Sequence, residues 1–268
     1  MEKHLYGLIG EKLGHSLSPQ IHEKIIQYLG IKGHYDLYEL EREQVGDAVK
    51  AFKLLGFNGI NVTIPYKIDV IQHLDWISKE AETIAAVNTI HFNDNKIFGY
   101  NTDYYGFGMM LDAFGVSVEG KKIAVLGTGG SASSVVCYFR DKGAKEIVLV
   151  SREKKDGCIT YEELASSEAM DIIVNTTPLG MFPKVENSPV SKEILSKFQV
   201  AVDLIFNPLE TLFLKYARES GLKTINGLYM LVGQAIKAQE IWNNTVIEEK
   251  VVEEIYQYIL KEFSEKLK

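Results

Sequence analysis

The chain has 268 residues, 46% hydrophobic and 24% charged, a globular composition that excludes disorder and leaves room for one large or two ordinary domains. A net charge of −7 and an isoelectric point near 5.5 argue against a nucleic-acid partner, which needs a basic field. No apolar run approaches the ~20 residues that span a bilayer, and the first residues, MEKHLYGLIG, lack the basic-apolar-small order of a secretion signal. A cytoplasmic protein with no membrane partner is expected. Strands and helices alternate along most of the chain, which predicts an α/β fold with a largely parallel sheet. Residues 5–10 (LYGLIG) read as a strand. The helix that follows has Ser18 at its N-cap, Pro19 at its first position and Gly30 past its end, with Ile21, Ile25 and Leu29 on one face. Residues 34–40 form a second strand, a helix runs from about Gln44 to Leu55, and GINVTI (59–64) is the next strand. By alternation Ile60, Val62 and Ile64 face a core, and Asn61 and Thr63 face away from it. Residues 87–101 read as a hairpin turning at NDN.

A second unit begins near Thr102 with a helix, the strand KKIAVLG (121–127), a glycine-rich turn, a helix through Asp141 and the strand EIVLVSR (146–152). Further βα pairs run through DIIVNTTP, VAVDLIF, PLETLFLKYARESG and LKTING. The tail holds two helices with no strand between them. Thr245 and Glu248 read as a capping box for the second, and Val251, Ile255, Ile259 and Phe263 as its apolar stripe. These helices need a surface to cover, and residues 1–101 supply it. Two domains are therefore expected, 1–101 with 228–268 and 102–227, as two lobes with a cleft between them. Cys137, Cys158 and the six scattered histidines make no disulfide framework and no metal-ligand spacing, so no metal is expected.

In KKIAVLGTGGSASS the glycines 127, 129 and 130 stand between a buried strand and an apolar helix. That is the context of a dinucleotide fingerprint, in which backbone amides at a helix N-terminus meet a pyrophosphate. A plain βα turn also favours glycine. The next strand ends in Ser151-Arg152-Glu153-Lys154-Lys155. An NAD site uses an acid there for the ribose hydroxyl, whereas a cation suits a 2′-phosphate. Arg152 thus favours NADP over NAD, Glu153 pulls the other way, and a solvated charged loop remains open. The stretch NVTIPYK (61–67) poses a similar choice. Pro65 stops the strand because it offers no amide to the ladder, and Lys67 on the resulting turn is either a solvated lysine or part of a site.

Five separated motifs resemble those of shikimate dehydrogenases in order and spacing: GHSLSP (14–19), NVTIPYK, AAVNTI with YNTDYYGF (85–107), GTGGSASS (127–134) and NGLYMLVGQA (226–235). The resemblance covers essentially the whole chain. It implies a two-lobed α/β protein: an amino-terminal α/β substrate domain completed by the C-terminal helices, plus a Rossmann-type doubly wound NADP-binding domain. It implies NADP-dependent, metal-free, reversible reduction of 3-dehydroshikimate to shikimate. Lys67 and Asp103 match the family's catalytic pair. Hydride addition to a ketone leaves charge on oxygen, so a proton donor must stand beside it. Ser16 and Ser18 match the hydroxyls that bind the substrate carboxylate, although an N-cap role for Ser18 competes. Asn61, Thr63, Asn88, Thr102 and Gln234 match substrate-binding positions, and Gly127, Gly129, Gly130, Ser131, Ser151, Arg152, Thr176 and Met230 cofactor-binding ones. His15 is conspicuous as either a turn residue or a ligand.

Three departures stand out. Phe206 in DLIFNP replaces a usual tyrosine, Ser-Arg-Glu at 151–153 replaces Asn-Arg-Thr, and Thr128 replaces a commoner alanine. A quinate/shikimate dehydrogenase with relaxed substrate or NAD use stays open. So, at lower weight, does a non-catalytic nucleotide-binding regulator, although both Lys67 and Asp103 are present, and a methyltransferase, which Arg152 disfavours. The sequence does not separate a monomer from a homodimer.

Overall fold

The computed structural model describes residues 4–14 and 16–266 and divides into two compact units. One holds the chain up to Gly106 together with the residues from Val232 onward; the other is Phe107–Leu231. Both boundaries fall a few residues later than 101/102 and 227/228, because the helices Thr102–Ala113 and Leu228–Asn243 run through them.

In the first unit the order is β1 (His4–Gly10), α1 (Ser18–Leu29), β2 (Gly33–Glu39), α2 (Val45–Leu54), β3 (Gly59–Val62), β4 (Trp76–Ile77), α3 (Lys79–Ile84), β5 (Thr89–Asn93) and β6 (Lys96–Tyr100). α4 (Thr102–Ala113) follows. The sheet order is β2-β1-β3-β5-β6-β4. It is mixed: β1 pairs parallel with β2 and β3, while β3, β5 and β6 are antiparallel neighbours. The hairpin turns at Asp94 and Asn95, both at positive φ as a tight two-residue turn requires.

Alternation along β1 assigns its two faces. Ile9 joins Val49, Phe52, Ile60, Val62 and Val70 on one side. Tyr6 and Leu8 join Ile26, Tyr35, Ala238 and Trp242 on the other. The tail closes this second face: Ala238 and Trp242 belong to α9 (Leu228–Asn243), and Val251, Ile255, Ile259 and Phe263 of α10 (Glu249–Lys266) are all buried.

Three local readings need correction. Leu17, not Ser18, holds the N-cap of α1, and no side chain caps it. The first helical bond runs from Ile21 N to Leu17 O, one residue before the expected cap, and the Ser18 amide donates to Ser16 Oγ at 3.2 Å. β3 ends at Val62, and Ile64 is 73% exposed rather than in the core, since the chain turns at Pro65, where Tyr66 N donates to Thr63 O. Thr245 and Glu248 form no capping box. α10 starts at Glu249, and the buried Glu240 draws in the connecting segment by accepting from Thr245 N on its carbonyl and from Ile247 N on its carboxylate.

The second unit continues with β7 (Lys122–Leu126), α5 (Gly130–Asp141), β8 (Glu146–Ser151), β9 (Cys158–Thr160), α6 (Tyr161–Ala165), β10 (Ile172–Asn175), α7 (Lys192–Leu195), β11 (Val200–Asp203), α8 (Leu212–Glu219) and β12 (Lys223–Ile225). β9 and α6 have no counterpart in the sequence reading. A three-residue strand shows no period, although Thr160 and Glu163 do form a capping box. All pairings here are parallel, in the order β12-β11-β10-β7-β8-β9. Counted from β7 this is the 3-2-1-4-5-6 order of dinucleotide-binding sheets, whose strand order reverses between the first strand and the fourth, here β7 and β10.

Beside that reversal, Asp203 at the end of β11 is fully buried. It accepts from Asn175 Nδ2 at 3.0 Å, Ile205 N at 3.1 Å and Thr211 Oγ1 at 2.6 Å. One carboxyl group thus ties the ends of β10 and β11 to the N-cap of α8. Burial pushes its pKa up to about 7, against the pull of these donors.

Gly59 lies under the Trp242 indole, which donates to Ile90 O at 2.8 Å, and a Cβ there would stand 1.9 Å from Trp242 Nε1. Gly59→Ala should therefore lower the unfolding free energy by about 3 kcal/mol, through overpacking and a displaced hydrogen bond, with an unchanged denaturant slope. A loss below about 0.5 kcal/mol in urea unfolding would contradict this packing. For Asp203 the folded pKa of about 7 lies above the ordinary 3.8, so the folded state binds the extra proton between these values and stability falls as pH rises across that window. Asp203→Asn should gain on the wild type from pH 4 to pH 7, at most on the order of 4 kcal/mol. A parallel pair of stability–pH curves would rule that out.

Candidate active site

Lys67 stands on the turn that ends β3. Tyr66, buried before it, donates its hydroxyl to Leu40 O, and the Lys67 carbonyl accepts from Val87 N at 2.8 Å. The stem of the lysine therefore starts from a fixed point. Asp103 lies in the first turn of α4, where a helix N-terminus favours a carboxylate. Asn101 sets that turn, accepting from Tyr104 N and donating to Ala86 O.

Lys67 Nζ meets Asp103 Oδ2 at 2.6 Å, with the two side chains 22% and 14% exposed. The other oxygen of Asp103 accepts from Asn88 Nδ2 at 2.9 Å. Asn88 Oδ1 in turn accepts from Thr102 N at 2.7 Å and lies 3.1 Å from the hydroxyls of both Thr102 and Thr89, which are 2.9 Å from each other and share their two protons over these three contacts. Asn61 joins by donating to Thr89 Oγ1 at 3.0 Å and to Asn88 O at 3.3 Å. Five expected site residues, Lys67, Asp103, Asn88, Thr102 and Asn61, thus share one hydrogen-bonded cluster.

Asn61 and Thr102 are buried, and both amide hydrogens of Asn61 are already used. Ser18 is buried at the start of α1, near enough to the Tyr35 hydroxyl to favour its ionised form, and Ser16 is half-buried. Thr63 is half-buried, its amide bonded to Ile9 O. Gln234 is half-buried on α9. His15 lies outside the described residues. Reading by motif passed over Thr89, Tyr35 and His22, which are buried beside these groups. The signal was there: polar side chains within strands and a helix whose neighbours are apolar.

In the second unit, Gly127 ends β7 at φ +106, where a Cβ would press on Thr176 Oγ1 at 2.9 Å. Thr176 itself donates to Leu126 O at 2.6 Å, holding the turn against the end of β10. Gly129 caps α5 without any side-chain bond, and a Cβ on Gly129 or Gly130 would meet open space. Ser131 follows in the first turn of α5, half-buried. The Gly127 amide donates to Val150 O at 2.9 Å, and the open space beside Gly129 and Gly130 leaves room for a pyrophosphate at the start of α5. Ser151 is buried at the end of β8, with Arg152 and Glu153 exposed beyond it. Among the described residues Arg152 makes no ion pair, whereas Lys154 is held by Glu163. Met230 is buried in the first turn of α9, and Phe206 is half-buried after β11. These residues fit a nucleotide with a 2′-phosphate. Among the described residues, no three His, Cys, Asp or Glu are grouped to hold a metal ion. Among the described residues no helix is long and apolar enough to cross a membrane.

Residues 8–90 match the family model for the shikimate dehydrogenase substrate binding domain. The NADP(+) shikimate dehydrogenase of Clostridium perfringens strain 13 is 49% identical over 94% of this chain and 97% of its own. The crystal structure of a chorismate mutase/shikimate 5-dehydrogenase fusion protein from Clostridium acetobutylicum superposes with a TM-score of 0.95 at 48% identity, covering 98% of this chain and 99% of that one. That of shikimate 5-dehydrogenase from Thermus thermophilus, in complex with NADP(H) and shikimate, gives 0.87 at 30% identity over 95% and 99%. With that identity held over nearly the full length of both chains, the protein belongs to the shikimate dehydrogenase family.

Proposed function

We propose that this chain catalyses the reversible NADP-dependent reduction of 3-dehydroshikimate to shikimate, with Lys67 and Asp103 as its proton-transfer pair. The observation that carries this reading is the 2.6 Å contact between Lys67 Nζ and Asp103 Oδ2, braced at the other carboxylate oxygen by Asn88. As hydride adds to the carbonyl carbon, the Lys67 ammonium donates its proton to the forming hydroxyl oxygen; in the direction of oxidation the neutral amine takes that proton as hydride leaves the carbon. Asp103 holds the nitrogen in place and accepts from a neighbouring substrate hydroxyl. Ser16 and Ser18, at the start of α1, take the substrate carboxylate. Thr63, Asn88 and Gln234 take ring hydroxyls. Asn61 and Thr102 are buried with their donors engaged, so they act chiefly by holding Asn88 and Thr89.

NADP, when bound, supplies the two-electron acceptor for the hydride. Gly129, Gly130 and Ser131 offer it amides at the start of α5, Gly127 keeps the turn free of a side chain while its own amide bonds Val150 O, Ser151 and Arg152 make the 2′-phosphate contact, and Thr176 and Met230 the nicotinamide side. The complex of the Thermus relative with NADP(H) and shikimate supports this pairing of ligands. Relaxed use of quinate is the second reading, favoured by the missing hydroxyl at Phe206. A cytoplasmic location accords with an enzyme of soluble metabolites.

Lys67→Ala should lower kcat by roughly 1000-fold with KM for shikimate within about threefold, because the lysine acts in the transition state. An unchanged kcat would remove Lys67 from the mechanism. Arg152→Ala should raise KM for NADP by about tenfold or more while leaving that for NAD within about twofold. Equal losses with both nucleotides would mean that Arg152 does not read the 2′-phosphate.

A further inference from the structure

Strand register puts three polar side chains on one face of the first sheet. Tyr35 of β2 stands opposite Tyr6 of β1, Asn61 of β3 opposite Leu8 of β1, and Thr89 of β5 opposite Asn61. Asn61 and Thr89 are direct neighbours across the ladder, but Tyr35 lies two strands from Asn61, a separation near 10 Å that only a long side chain spans. It does so: Tyr35 Oη donates to Asn61 Oδ1 at 2.8 Å. The donors then run one way. Asn61 Nδ2 donates to Thr89 Oγ1, the hydroxyls of Thr89 and Thr102 converge on Asn88 Oδ1, and Asn88 Nδ2 donates to Asp103 Oδ1.

We infer that Tyr35 is a positioning residue of the reaction: its hydroxyl fixes the sense of the Asn61 amide and, through Thr89 and Asn88, the orientation of the Asp103 carboxylate that holds Lys67. This rests on the proposed roles of Lys67 and Asp103. An amide side chain has two nearly isosteric orientations, and only its partners choose between them. With the Tyr35 donor in place, Oδ1 of Asn61 must face Tyr35 and Nδ2 must face Thr89. Without it Oδ1 loses its donor, and only the bonds from Nδ2 to Asn88 O, at 3.3 Å, and to Thr89 Oγ1 hold the amide in that sense. In the fraction that turns over, Thr89 has to donate to Asn61 Oδ1 and no longer donates toward Thr102 Oγ1 and Asn88 Oδ1, which loosens the Asn88 amide against Asp103.

The surroundings of Tyr35 are built to hold that one state. His22 stacks on its ring, centroids 4.0 Å apart and 8° from parallel. Gln239 Nε2 lies 3.0 Å from His22 Nδ1, and Gln239 Oε1 accepts from Asn243 Nδ2, so the Gln239 amide donates and Nδ1 accepts. Asn243 in turn is fixed by the Tyr6 hydroxyl at 2.8 Å. Burial lowers the His22 pKa to about 3, which keeps the ring a neutral acceptor, and raises that of Tyr35 well above its ordinary range, which keeps the phenol a donor. His22 Nε2 makes no hydrogen bond, although Asn61 lies close enough to favour its protonated form. None of these groups is placed to take part in the chemistry itself.

The test is steady-state kinetics of shikimate oxidation for the wild type, Tyr35→Phe, Thr89→Val and the double variant, with NADPH affinity followed by its fluorescence. Tyr35→Phe keeps the ring and its stack, so it isolates the hydroxyl. The expected result is a kcat about tenfold lower with KM for shikimate within threefold and NADPH affinity unchanged, shrinking to less than about twofold when Thr89→Val has already cut the chain. A purely structural role predicts lower thermal stability with kcat intact at a temperature where both proteins are folded. A kcat within about twofold of wild type overturns the inference, and so does an equal loss in both backgrounds, which would mean that Tyr35 acts by another route. An inactive but folded wild type would instead refute the proposed function beneath it, so the two failures are told apart.

Discussion

A charged pair can be held half-buried only if the groups around it are themselves satisfied, and that constraint organises the first unit. Asn88 is the junction. Its one oxygen accepts from Thr102 N and from the bonded pair of hydroxyls of Thr89 and Thr102, while its nitrogen braces Asp103. Each buried donor left without this acceptor would cost about 1–3 kcal/mol, so the turn carrying Lys67, the start of α4 and the strands β3 and β5 have little freedom to move apart. The mixed sheet serves that end. Antiparallel pairing of β3 with β5 puts Asn61 directly opposite Thr89, which the parallel arrangement expected from the alternating pattern does not provide.

The second unit answers a different constraint. A phosphate site made of backbone amides needs a turn without side chains, and the glycines at 127, 129 and 130 supply it where the strand order reverses. The fully buried Asp203 fastens the loops around that point by accepting three hydrogen bonds from two strand ends and a helix cap. Phe206 follows three residues later. A tyrosine hydroxyl there is dispensable to the fold, since the backbone of this loop is already held by Asp203 through Ile205 N.

Much of this was legible in the sequence where a residue type has one physical use. Gly127 in a strand-to-helix turn and the stripe Val251, Ile255, Ile259 and Phe263 behave as their chemistry dictates. Local rules failed where a more distant group competed. Ser18 lost the N-cap to Leu17, whose carbonyl accepts the first helical bond from Ile21 N, and Thr245 lost its capping box to Glu240. The residues passed over share a different cause. Tyr35, Thr89, His22 and Asp203 sit in strands or helices and look like ordinary occupants, and only the register of β2, β1, β3 and β5 brings the first two within reach of Asn61. Short elements such as β9, three residues long, carry too little pattern to be seen at all.

The account rests on one claim, that the Lys67–Asp103 pair carries the proton transfer of shikimate oxidation. The most direct measurement is the initial rate of nicotinamide reduction by the wild-type protein with shikimate and with quinate, each offered NADP and NAD. The account predicts rapid NADPH formation from shikimate, with NAD and quinate both far slower. Folded protein that reduces neither nucleotide with shikimate would contradict it, whatever the geometry of Lys67 and Asp103.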